Sequence, residues 1–165
     1  MPLGVTMLKR SLPDIPTGAH ANTFGGNLAV IAGAHALAKH VKNNMRSIEE
    51  QVHTKGRIMK SWLEKMKERY EIIGDVRGMG MMLAIELVKD RKTKEPAVKE
   101  RDSIMERCFY DGLLMLPAGV STIRIIPPLT MSMHNIEEGL GILESAVEKE
   151  NADMLGKLRT AKARK

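Results

Sequence analysis

The chain has 165 residues, of which 43% are hydrophobic and 28% charged, enough for a domain with a real core. Its net charge of +6 is partly terminal, and only 3% of residues are aromatic, so base-stacking platforms are scarce and nucleic-acid binding is not the expected function. No apolar run reaches membrane-spanning length, the N-terminus lacks the order of a signal peptide, and the lone Cys108 excludes an internal disulfide, which together suit a reducing cytoplasm.

In chain order, residues 1–18 are rich in Pro and Gly and predict irregular chain, with one short strand near Gly4–Leu8. Leu28, Ile31, Ala34 or His35, Ala38 and Val41 fall on one face of a helix over 27–41. Lys42-Asn43-Asn44 are weak helix formers and predict a kink or break before a second helix over 45–69. That helix carries Ile48, Val52, Met59, Trp62, Leu63 and Met66 at three- and four-residue steps, and tolerates Gly56 at a cost of about 1 kcal/mol. The glycines of 72–80 predict a turn or a close backbone approach. Residues 81–88 predict a buried strand and 90–95 a loop. Pro96 suits the first turn of a helix running to Tyr110, with Asp111-Gly112 as its stop. Residues 113–116 and 122–126 predict two strands around a Pro117-Ala118-Gly119 bend, the second ended by Pro127-Pro128. Ser132 is placed to cap a last helix over 133–150, and the basic final fifteen residues are expected to fray. Three strands with helices on one face, after a long helical lead, make an α+β fold.

Two places carry chemistry. In Thr23-Phe24-Gly25-Gly26-Asn27 a hydroxyl and two glycines stand before a helix N-terminus, the layout of an anion-binding turn. The same residues also suit a plain capping turn with Asn27 as the cap. Arg124 sits mid-strand and points away from Ile123 and Ile125. Its guanidinium could hold a carboxylate in a two-pronged pair, or face solvent, or pair with a structural Glu. Gly78-Met79-Gly80 precedes a strand and lacks the third glycine of a dinucleotide loop, so it reads as a structural turn. His20, His35, His40, His53 and His134 show no metal spacing, and Cys108 on an apolar helix face is expected to be inert.

Four segments, in order, resemble the C-terminal part of class III (omega-type) aminotransferases, in the style of the 4-aminobutyrate and acetylornithine enzymes. They are Met1-Pro2-Leu3-Gly4; the run from Gly18 to Asn27; the run from Ile73 to Leu87, with Arg77-Gly78-Met79-Gly80 at its centre; and the run from Gly112 to Thr130, with Ile123-Arg124-Ile125-Ile126-Pro127-Pro128-Leu129-Thr130. The resemblance implies the C-terminal small domain of a fold type I enzyme dependent on pyridoxal 5'-phosphate (PLP). Residues 1–41 would then be the remnant of the large cofactor-binding domain, 42–150 the small domain, and 151–165 a basic tail. Thr23 and Phe24 would contact the PLP phosphate, from the neighbouring subunit of a homodimer or larger homo-oligomer. Arg124 would bind the α-carboxylate of the amino-acid or 2-oxo-acid substrate. Asn27 is followed by Leu28 where relatives usually carry Pro. The Schiff-base lysine of the family is expected a few residues before Met1, and Lys9, Lys39 and Lys42 do not occupy its place. No catalytic lysine is therefore assigned. The chain reads as the C-terminal portion of such an enzyme, incomplete alone. A non-catalytic assembly module with the same fold is the alternative.

Overall fold

The computed structural model describes residues 3–163, with side chains through Gly156. The Met1-Pro2 end of the first resembling segment, and the last two residues of the tail, lie outside the described residues. The chain divides into two compact units, Met1–Ile48 and Glu49–Lys165.

In the first unit, residues 3–27 form turns and irregular chain, and the short strand expected near Gly4–Leu8 is absent. Helix α1 then runs unbroken over Leu28–Arg69, 42 residues, through Lys42-Asn43-Asn44 where a break is expected from propensity. Weak formers cost only tenths of a kcal/mol each. Asn44 also turns its amide back onto the His40 carbonyl at 2.9 Å, satisfying itself within the helix. All the buried positions of α1 lie in its second half, from Lys55 onward.

In the second unit, strands β1 (Ile73–Met79), β2 (Met82–Asp90), β4 (Leu116–Ala118) and β5 (Thr122–Ile125) form an antiparallel sheet in the order β1-β2-β5-β4, and the two-residue β3 (Glu95–Pro96) pairs with β2. The sheet therefore has five strands, two more than the three expected. β1 is the main addition. Its glycines hide the alternation, yet they are what the pairing needs. A side chain at Gly78 (φ +137°) would drive its Cβ to 2.1 Å from the Met82 carbonyl, and one at Gly74 would meet Val88 at 2.8 Å. Gly80, at φ +55°, opens the two-residue loop that joins β1 to β2. Pro96 lies in β3 instead of the first helical turn, at an edge where its missing N–H costs nothing.

Helix α2 (Val98–Tyr110) ends as expected, with Gly112 at φ +89°. The Leu113 N–H reaches back to the Cys108 carbonyl at 2.8 Å and the Gly112 N–H to Phe109 at 3.1 Å, which closes the helix and pushes β4 downstream to 116–118. Ser132 caps α3 (Met133–Ala163), its Oγ accepting the Asn135 N–H at 3.1 Å. This helix continues past Glu150 and buries Met154. Leu83, Ile85, Leu87 and Ile123 turn inward from the sheet. They pack with Met59, Leu63 and Met66 of α1, Ile104 and Cys108 of α2, and Ile136, Leu140, Leu143 and Val147 of α3. The far end of α1 is closed by Arg91, whose guanidinium donates to the carbonyls of Lys67, Tyr70, Glu71 and Ile73.

Candidate functional site

In the first unit, the Thr23 segment forms two tight turns at the head of α1. The Gly25 N–H donates to the Asn22 carbonyl at 3.1 Å and the Asn27 N–H to Phe24 at 3.4 Å. Asn27 caps the helix, its Oδ1 accepting the Val30 N–H at 3.1 Å. The capping alternative is thus realised, and it does not use up the turn. The N–H groups of Leu28 and Ala29 are first-turn donors with no carbonyl to reach inside the helix. Thr23 is exposed, and its hydroxyl bonds to no described residue; Phe24 is 82% exposed. Gly26 takes a φ of +76° that other residues rarely adopt.

In the second unit, register places Arg124. It pairs across β5 with Ala84 on β2 and Leu116 on β4, so one row of the outer sheet face reads Arg77, Ala84, Arg124, Leu116. The next row reads Asp75, Glu86, Thr122, Ala118. Two arginines thus share one face with two carboxylates, and the carboxylates go to Arg77. Its Nη1 donates to Glu86 and, at 3.1 Å, to Asp75, while Nη2 donates to Thr122 Oγ1 at 3.3 Å. Partial burial pushes the Asp75 carboxyl up, but the bond from Arg77 and the charge of Lys67 hold it below the ordinary carboxylate range. The bonds to Glu86 and Asp75 raise Arg77 in turn. Arg124 is exposed and makes no hydrogen bond or ion pair with any described residue. The structural Glu that Arg124 could have had belongs to its neighbour.

Beside Arg124 a cavity of about 240 Å³ opens where 113–116 and 124–128 diverge, backed by Met59, Leu140 and Leu143. Its loop wall is pinned by Lys55, which sequence reasoning missed. Lys55 is buried, and its Nζ donates to Gln51 Oε1 at 3.1 Å and to the carbonyls of Leu129 at 3.2 Å and Met131 at 2.8 Å. The signal was present, since a lysine falls on the stripe Val52, Met59, Leu63, Met66 where an apolar residue belongs. Gly56 also finds its reason here. A Cβ on it would lie 2.3 Å from the Gly80 carbonyl, so α1 and the β1–β2 loop touch backbone to backbone.

The remaining candidates are structural. Cys108 is fully buried, and burial pushes its thiol up to about 11. Among the described residues no group of three His, Cys, Asp or Glu is placed to hold a metal ion, and no helix is long and apolar enough to cross a membrane.

Comparison with known proteins gives these features a context. The family model for Aminotransferase class-III matches residues 1–147. An acetylornithine aminotransferase of Clostridium acetobutylicum is 34% identical over 149 residues, covering 89% of this chain and 35% of the relative. A leucine/methionine racemase of Thermococcus litoralis is 34% identical over 148 residues, covering 89% of this chain and 33% of the relative. A Bacillus anthracis aminotransferase of known structure superposes with a TM-score of 0.70 at 31% identity, over 79% of this chain and 30% of its own. The chain spans about a third of the length of these relatives. It belongs to the class-III aminotransferases, a PLP-dependent family.

Proposed function

We propose that these 165 residues serve as the C-terminal part of a PLP-dependent aminotransferase that moves an amino group from an amino acid to a 2-oxo acid. The observation that carries this is Arg124, the guanidinium left without an acid on a face where its neighbour Arg77 has two. Arg124 accepts the substrate carboxylate in a two-pronged pair and fixes the orientation of the α-carbon. Thr23, through its hydroxyl, and Phe24, through the turn it shapes, hold the cofactor phosphate with the free N–H groups at the head of α1. The residues present therefore fit the phosphate end of PLP. When bound, PLP supplies the electron sink for chemistry at the substrate α-carbon. None of the lysines is assigned to carry it; Lys55, the buried one, has all three N–H donors committed.

Thr23 and Phe24 act from the neighbouring subunit of a homodimer or larger homo-oligomer, in a reducing cytoplasm that suits the buried free thiol of Cys108. The acetylornithine aminotransferase relative makes a 4-aminobutyrate- or ornithine-like donor the first class to assay.

The test has two arms. The purified chain with PLP, an amino acid and a 2-oxo acid should give no turnover; robust turnover by the chain alone would overturn its incompleteness. Supplied with a polypeptide carrying the family's upstream lysine region, it should gain activity. In that assembly Arg124→Lys should raise KM about 10- to 100-fold, as expected for a lost charged hydrogen bond of about 1.5–3 kcal/mol. An unchanged KM would remove Arg124 from the substrate site.

A further inference from the structure

We infer that Arg77 is a positioning residue that holds Glu86 away from Arg124 and so keeps the second guanidinium open, a role that rests on the reading of Arg124 as the substrate anchor. Register puts Glu86 within reach of both arginines. It lies opposite Asp75 on β1 and opposite Thr122 on β5. Arg77 follows Asp75 by two residues, and Arg124 follows Thr122 by two. Each arginine is therefore a diagonal neighbour of Glu86 on the outer face, about 7–8 Å away and within reach of a long side chain. Directly between the two arginines stands Ala84, which is too short to part them.

The fork of Arg77 settles the competition. Its Nη1 donates to Glu86 and, at 3.1 Å, to Asp75, while its Nη2 reaches across β2 to Thr122 Oγ1 at 3.3 Å. One guanidinium thus ties three strands along the carboxylate row. Arg124 has no such row of partners, because register seats Asp75 on the strand of Arg77, two strands from β5. The two acids also differ in what else they have. Asp75 meets Lys67 at 3.6 Å as a second cation. Among the described residues Glu86 has no ion pair besides Arg77. Without Arg77, Asp75 keeps a partner, and the guanidinium left to Glu86 in these two rows is Arg124. A carboxylate of the chain itself seated there competes with substrate, and the apparent affinity falls with the fraction of anchors left open. Exposed pairs are weak, so the loss is about two- to fivefold.

The experiment is NMR on the 165-residue chain, following nuclear Overhauser contacts of the Glu86 γ-methylene, together with phenylglyoxal labelling of the arginines counted by mass spectrometry. In the wild-type chain Glu86 should contact Arg77 and not Arg124, and Arg124 should label faster than Arg77. In Arg77→Gln, Glu86 should contact Arg124, and labelling of Arg124 should slow about two- to fivefold. The double variant Arg77→Gln, Glu86→Gln should restore that labelling. Glu86→Gln alone should speed labelling of Arg77 and leave Arg124 unchanged. Arg77→Lys, which keeps the charge without the fork, should show the same new contact in part and carries the test if Arg77→Gln does not fold. Slowed labelling without the Glu86–Arg124 contact, or slowing that the double variant does not reverse, would overturn the positioning role. None of these measurements uses substrate, so they leave the anchor to its own test, the KM of Arg124→Lys.

Discussion

Lys55 shows how a residue can be legible in the sequence and still be missed. Its place on the apolar stripe of α1 is plain from spacing, but the two carbonyls it meets come from residues more than seventy positions away. Replacing it with Met keeps the volume and orphans both carbonyls. Lys55→Met should therefore destabilise the chain by about 1–3 kcal/mol, measured by urea denaturation on the fluorescence of Trp62, the single tryptophan. The apolar helix face around Cys108 predicts an inert thiol, and full burial supports that. With its thiol raised from 9.0 to about 11, the native state holds the proton more tightly than the unfolded chain. The stability this contributes is complete below pH 9 and is lost as pH rises toward about 11. Native chain at pH 8 should resist iodoacetamide and react only on unfolding, which mass spectrometry would count. Arg124 marks the limit of sequence at this scale. Whether it or Arg77 takes Glu86 is decided by strand register, and register is not written in composition.

At the scale of elements, the helices were legible because a 3.6-residue apolar stripe survives a few odd residues. The Ser132 cap and the Gly112 stop were legible because their chemistry is local. β1 was not, because three glycines in eight residues look like a turn until the partner strand shows what they make room for. The break expected at 42–44 failed for the converse reason, since local propensity is small beside the continuity of a long helix. Gly56 links these elements. Ala is the better helix former by about 1 kcal/mol. Against that, the Gly80 carbonyl at 2.3 Å is backbone and cannot swing aside, and overpacking of this kind costs about 1–3 kcal/mol. Gly56→Ala should thus be net destabilising, seen as a lower urea midpoint with an unchanged slope. A gain in stability would mean that α1 and the loop can part at little cost.

For the molecule as a whole, the α+β class followed from pattern, whereas two of the five strands and the uneven distribution of burial did not. No residue between 3 and 48 is buried, and Leu28, Leu37 and Met45 stand exposed on α1. Such a surface on an isolated chain should drive self-association. Sedimentation velocity should show a concentration-dependent oligomer, and Leu37→Glu should shift it toward monomer; a strictly monomeric wild-type chain would contradict this. The unbroken course of α1 has a further consequence. Residues 28–48 are helical with nothing buried, and residues 55–69 are helical with Met59, Leu63 and Met66 sealed in the core. Hydrogen exchange should therefore run fast along the first stretch, where only intrinsic helicity protects an amide, and slow along the second, where exchange waits for global unfolding. Within one uninterrupted helix, the same backbone carries both a measurement of what packing contributes and the control for it.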